Sequence, residues 1–266
     1  RTRAHRLSPM QTLAVLSMKG GVGKTTVALG LASAAWRRGE RVLVIDLDPQ
    51  GNATMGLGVT NPEFTMNDVL ADPKPGIAAD AIVDSAWGNR VQVLCADCSL
   101  EHRNTIEGPL SSQRLRIALG NLPRQYDLVL IDCPPSLGEM TRNALHSATD
   151  ALVVTEPAYF ALAGAEQAVE AVDVIRLASN PMLNPAQILL NRVRPTVAEH
   201  RNRTAELREA FGPVVLEVEV PERNAITQAE AAGMPIHAWD SPAGRELAAV
   251  FDQVIAIMSP RKRLWG

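Results

Sequence analysis

The chain has 266 residues, with 26 Lys and Arg against 29 Asp and Glu, a formal net charge of −3. That length fits one large α/β domain or two small ones, and the charge balance excludes a globally basic nucleic-acid binder, so any DNA contact must come from a local patch. No apolar run approaches the roughly 20 residues that span a bilayer, and an odd count of three cysteines with no signal peptide points to a reducing cytosol.

Residues 1–9, with Arg1, Arg3 and Arg6, are read as a flexible basic arm or an expression remnant, and 10–266 as a single domain. The apolar stretch Thr12–Ser17 predicts a buried parallel strand. Lys19-Gly20-Gly21-Val22-Gly23-Lys24-Thr25-Thr26 follows, and Val27–Trp36 reads as a helix. Strand, glycine loop and helix form the context of a phosphate-binding loop. Its backbone N–H groups and the positive helix end face a polyphosphate, and its glycines allow close approach. Lys24 is expected on the β- and γ-phosphates and the Thr25 hydroxyl on Mg²⁺. A lone glycine-rich loop reads as a plain turn; two lysines, two threonines and the correct flanks favour the ligand.

After Gly39, a helix stop, a second strand Arg41–Asp46 is predicted. It runs into Asp46-Leu47-Asp48-Pro49-Gln50-Gly51-Asn52-Ala53-Thr54. The stretch Asn61–Gly88 is rich in Pro, Asp and Ala and reads as short helices and loops. Val91–Cys95 reads as a strand. Cys95 and Cys98 form one C-x-x-C, but with no second pair and no H-x-x-x-H, core packing is favoured over a metal.

Ser111–Leu122 is a helical pattern. Asp127–Asp132 is an apolar strand ending in a carboxylate, read as the Walker B group of the Mg²⁺ shell. Cys133-Pro134-Pro135-Ser136 then turns sharply, and with no paired His, Cys133 is not read as a nucleophile. Strands are expected at Ala151–Thr155, Ile188–Asn191 and Val214–Val218, and helices at Met140–Ser147, Leu162–Ala178, Thr204–Phe211 and Arg245–Met258. Apolar strands without polar alternation have both faces covered. The order predicts an α/β fold: a doubly wound, mostly parallel sheet with helices on both faces, of the P-loop NTPase kind, with ligand beyond the carboxyl ends of the strands.

The loop departs from G-x-x-x-x-G-K-[ST]: Met18 stands at the first glycine, and a second lysine, Lys19, heads the loop. This form resembles the "deviant" loop of the ParA/MinD class of dimeric ATPases. With D-x-D-P-Q-G-N-A-T from Asp46 and I-D-C-P-P-S from Ile131, the chain after Met10 resembles, with gaps, the ParA (Soj-like) partition ATPases over nearly its whole length. The resemblance implies an ATP- and Mg²⁺-dependent homodimer in which Lys19 reaches the partner's nucleotide. It implies that Asp48 positions the attacking water and that Asp46 supports the metal's water shell with Thr25 and Asp132. Asn191 and Arg192 match the base-contacting strand end, and Pro221 to Arg223 the loop over the base. Without the resemblance, each carboxylate is alternatively a loop cap, although the i, i+2 pair beside a phosphate loop favours function, and each strand-end residue is equally an ordinary cap.

The same resemblance implies non-specific DNA binding by the ATP dimer, a ParB-like partner that stimulates hydrolysis, and a cytoplasmic, nucleoid-associated protein. Candidate DNA contacts are Arg192, Arg194, Arg201, Arg203, Arg223, Arg245, Arg261, Lys262 and Arg263, any one of which is alternatively a solvated surface charge. Asn224–Gln228 lacks a basic residue the family often has, and Asp240–Gly244 stands where basic residues are common. A MinD-type membrane ATPase is the second reading: Leu247, Val250, Phe251, Val254, Ile255 and Met258 form an apolar face, but Pro260 ends the helix and the last six residues are too short to anchor it. A metabolic enzyme sharing the loop is the third.

Overall fold

The computed structural model describes residues 10–259 except 107, 109 and 123–125. The arm at 1–9 and the tail residues Arg261, Lys262 and Arg263 lie outside the described residues. In chain order the elements are β1 (Gln11–Leu16), α1 (Lys24–Arg37), β2 (Val42–Asp46), α2 (Asn52–Gly56), α3 (Met66–Ala71), β3 (Ile82–Ser85), β4 (Gly88–Leu94), α4 (Arg114–Ala118) and β5 (Leu128–Asp132). Then follow α5 (Glu139–Ser147), β6 (Asp150–Thr155), α6 (Ala161–Ala178), β7 (Gln187–Val193), α7 (Ala198–Phe211), β8 (Val215–Pro221), α8 (Asn224–Ala231) and α9 (Pro242–Met258).

The strands form one sheet in the order β3-β4-β2-β5-β1-β6-β7-β8. β3 pairs antiparallel with β4, and the other pairings are parallel. The sheet is mostly parallel, as its uninterrupted apolar strands predict. Successive side chains point to opposite faces, and both faces are covered. Ala14 and Leu16 of β1 join one core with α5 and α6. Leu13 and Val15 join the other, with α1, α8 and α9. α9 packs its apolar face inward: Leu247, Phe251, Val254, Ile255 and Met258 are buried. Gly30 of α1 makes this possible, because a Cβ there would meet the Phe251 ring at 2.4 Å.

Several boundaries differ from the sequence expectation. α7 starts at Ala198 rather than Thr204. Leu207 is its one buried residue, so no apolar period marks its first turns, which are held instead by pairs such as Glu199 with Arg203. α4 is only Arg114–Ala118, preceded by a 3₁₀ turn. β8 runs on through Pro221. The 61–88 stretch contains β3, a short edge strand returning through a turn at Ala86 and Trp87 into β4, which Gly88 opens with φ 95°. Cys95 is buried just past the end of β4, and Cys95, Cys98 and Cys133 are free thiols.

Candidate nucleotide-binding site

β1, β2 and β5 are neighbours in the sheet, so three chain segments meet beyond their carboxyl ends: the loop 17–23, the loop 47–51 and the turn 133–137. Gly21 and Gly23 hold φ values of 82° and 87°, left-handed geometry that a side chain would strain. Gly23 precedes α1 and accepts from Val27 N–H at 2.9 Å. Beside them opens a cavity of about 660 Å³. Gly20, Gly21, Gly23, Lys24, Thr25, Thr26, Asp48 and Arg192 line it; Val22 packs into the core beneath. The size suits a nucleotide.

Thr25 donates its hydroxyl to Asp132 Oδ2 at 2.7 Å. Asp132 is fully buried, and its other oxygen, Oδ1, has no hydrogen-bond partner. Burial, and then Asp46 beside it, hold its pKa well above the usual carboxylate range. Asp46 stands opposite Asp132 in the β2–β5 register and is equally buried. Burial pushes the Asp46 pKa up to about 6 against hydrogen bonds that oppose the shift. Asp46 Oδ1 accepts from the Asp48 N–H at 3.1 Å, and Oδ2 from the Thr54 N–H and hydroxyl, each at 2.8 Å. Asp46 therefore ties down the loop that presents Asp48. Asp48 lines the cavity and accepts from the Gln50 N–H at 3.0 Å.

Magnesium fits these groups. The Thr25 hydroxyl and the unpaired Asp132 oxygen are hard oxygen donors, and Mg²⁺ typically takes one or two protein oxygens with phosphates and water completing its shell. Among the described residues no group of three or more His, Cys, Asp or Glu is placed to hold a metal by itself. Cys133, buried beside Asp132, has its pKa raised by burial first, which leaves its thiol inert.

Lys19 is not at this cavity. Its side chain is 59% exposed and its Nζ lies 2.6 Å from Glu156 Oε1. It borders a separate hollow of about 190 Å³ with Glu156, Tyr159 and Phe160. Asn191 does not line the cavity either. It is buried behind the loop, and its Nδ2 donates to the Val22 carbonyl at 2.7 Å. Arg192, with φ 54°, does reach the cavity. Pro221 and Arg223 do not line it, and Arg223 pairs with Glu246 at 2.8 Å.

Among the described residues, the remaining arginine candidates are engaged. Arg194 pairs with Glu222, Arg203 with Glu199 and Glu206, and Arg245 with Asp240. Arg201 donates to the Pro195 carbonyl. Sequence reasoning missed Thr54, Glu156, Thr227 and Glu230 as members of this region. Glu156 carried a readable signal, a carboxylate just past the apolar strand β6; Glu230 carried none.

The family described as "AAA domain" (AAA_31) matches residues 10–185. The chain is 36% identical over 244 residues to the chromosome partitioning protein ParA of Caulobacter vibrioides, covering 88% of each. It is 34% identical over 249 residues to the chromosome-partitioning ATPase Soj of Thermus thermophilus, covering 93% of this chain and 96% of that one. A structure named as cobyrinic acid a,c-diamide synthase from Mycobacterium smegmatis, with bound ADP and magnesium, is 27% identical with TM-score 0.75, covering 95% of this chain and 97% of that one. The chain belongs to the ParA/MinD-type P-loop ATPases.

Proposed function

We propose that the protein is an ATP-dependent dimerising switch that segregates DNA or positions cargo in the cytoplasm, hydrolysing ATP slowly until a ParB-like partner stimulates it. The observation that carries this reading is the division between its two loop lysines. Lys24 is buried at the cavity, whereas Lys19 is exposed and outside it. A lysine turned away from its own site, on an exposed ion pair with Glu156, can exchange that partner for another copy's nucleotide.

Lys24 and the loop N–H groups would hold the β- and γ-phosphates, with Thr25 and Asp132 holding Mg²⁺. The metal, when bound, neutralises charge on the transferred phosphoryl group. Asp48 would orient the attacking water, and Lys19 of a second copy would offset developing charge. Asp46 would act through Asp48, by fixing its loop.

Non-specific DNA binding by the dimer is part of the proposal. Arg194, Arg203, Arg223 and Arg245 are held in ion pairs in the single chain, so DNA phosphates would have to displace or supplement those partners. Two other readings gain less support. The apolar face of α9 is packed into the core, not free for a membrane, and among the described residues no helix is long and apolar enough to cross one. A ligase acting on a carboxylate would need cations near the phosphate end. The hollow adjoining Asp48 is lined instead by Asp48, Glu101, Asn104 and the 134–136 turn.

The direct test is the ATPase rate with and without DNA, followed by a DNA mobility assay at two salt concentrations. Stimulation by DNA, and binding that weakens steeply with salt, are expected. A rate indifferent to DNA together with no mobility shift would overturn the segregation role.

A further inference from the structure

Thr54 sits in α2, the short helix that follows the loop bearing Asp48, and it is buried without lining the nucleotide cavity. A threonine inside a helix ordinarily points to solvent or bonds a carbonyl of its own preceding turn. The Thr54 hydroxyl instead bonds two strand ends. It donates to Asp46 Oδ2 at 2.8 Å, at the end of β2, and accepts from the Ala96 N–H at 3.0 Å, just past β4. The Thr54 N–H donates to the same Asp46 oxygen at 2.8 Å. Two of the three hydrogen bonds on the Asp46 carboxylate thus come from Thr54, and the third comes from the Asp48 N–H.

The Ala96 side of this hub leads to the same place by another route. Ala96 runs into the 3₁₀ segment Cys98–Asn104, whose first turn Asp97 caps by accepting from the Ser99 N–H at 2.6 Å. Glu101 and Asn104 of that segment line the hollow next to Asp48 and Gln50. One buried hydroxyl therefore joins the two sides of the space in front of Asp48: the loop 47–51 and the segment 98–104. A buried carboxylate such as Asp46 needs its donors, so loss of the hydroxyl disturbs the anchor of the Asp48 loop first. The same hydroxyl makes no hydrogen bond to the loop 17–23 or to Lys24 and Thr25.

Resting on the assignment of Asp48 to the attacking water, we propose that Thr54 is a positioning residue for hydrolysis. It lies outside the cavity and acts through Asp46, whose grip on the Asp48 N–H aims the Asp48 side chain. Its loss should slow turnover and leave nucleotide binding in place, because a misplacement of about 1 Å at a reacting group costs on the order of 100-fold in rate, whereas the phosphate-holding groups keep their own supports.

The test combines steady-state ATP hydrolysis with calorimetric titration by ADP, both on the full chain with Mg²⁺. Thr54→Val removes the hydroxyl at nearly constant volume; its kcat should fall about tenfold or more, with KM for ATP and the affinity for ADP within about threefold of the parent. Thr54→Ser restores the hydroxyl and should recover most of the loss. In an Asp48→Ala background the further change Thr54→Val should cost little, since groups that act as one unit are not additive. The proposal is overturned if Thr54→Val turns over like the parent, if Thr54→Ser is as slow as Thr54→Val, or if the Thr54→Val loss is as large without Asp48 as with it. A Thr54→Val chain that loses ADP binding along with its rate, folded or not, marks a merely structural threonine and overturns the proposal too. Turnover by Asp48→Ala at the parent's rate, or no hydrolysis by the parent, refutes the underlying assignment instead, and this proposal with it.

Discussion

The Thr25 hydroxyl reaches across 107 residues of sequence to donate to Asp132 Oδ2 at 2.7 Å, joining the phosphate loop to the end of β5 before any ligand is bound. The other Asp132 oxygen is left buried and unpaired. Burial disfavours the charged form of this carboxyl in the folded protein, and a bound cation would restore it.

Asp132→Asn separates these two effects. It keeps the volume and an acceptor for Thr25 but removes the charge. Ligand-free stability near neutral pH should rise by about 1 kcal/mol or more, because the buried carboxyl that ionises more readily in the unfolded chain is gone, although the amide nitrogen is left as unpaired as the oxygen it replaces. Magnesium-dependent tightening of nucleotide binding should fall about 10-fold or more. Chemical denaturation and titration with and without Mg²⁺ measure both. A variant that loses stability while keeping its magnesium response would contradict this account.

Asn191 is predicted to act as a buttress. A Cβ at Gly23 would lie 2.3 Å from Asn191 Nδ2, so the amide fills the space beneath the loop. Asn191→Ala leaves the Val22 carbonyl unpaired and should cost about 1–3 kcal/mol of stability along with nucleotide affinity. The ratio of adenine to guanine nucleotide affinities should stay unchanged. A changed ratio would return Asn191 to the base-reading role.

Gly30→Val should destabilise the fold by about 1–3 kcal/mol or more through overpacking against Phe251. Because the two positions touch, Phe251→Leu in the same chain should recover part of the loss, a non-additivity that a double-mutant cycle reads directly. Strict additivity would mean that the contact does not govern the packing of α1 on α9.

His237 gives a pH dependence. Its Nδ1 lies 2.7 Å from Ser33 Oγ on α1, and its Nε2 lies 3.4 Å from Asp252 Oδ1. Burial lowers its pKa below 6.5, although Asp252 opposes the shift and Arg37 adds to it. The unfolded chain then binds the proton more readily than the folded one. This contribution is present above pH 6.5 and is lost as pH falls through the folded pKa. Melting curves from pH 7.5 to 5.5 should show a steeper loss in the parent than in His237→Gln. Parallel curves would rule the histidine out.

How much of this was readable in the sequence depended on locality. The phosphate loop is legible because its glycines and lysines sit within eight residues, and Asp132 because an apolar strand ends on it. The Asn191 contact to Val22 spans 169 residues and no pattern marks it. β3 was hidden because a four-residue edge strand looks like a loop. The start of α7 was hidden because Leu207 alone is buried, so charge pairs rather than hydrophobic period shape the helix. The basic cluster on 192–208 read as a charged patch, since the acidic partners of its arginines are fixed only by the fold.

The central claim is that nucleotide joins two copies through Lys19. Light scattering on the purified chain with Mg²⁺ and an uncleavable ATP analogue tests it most directly. The account predicts a dimer mass for the parent and a monomer mass for Lys19→Ala that still binds the analogue. A parent that stays monomeric at saturating analogue, or a Lys19→Ala protein that dimerises as well as the parent, would contradict it.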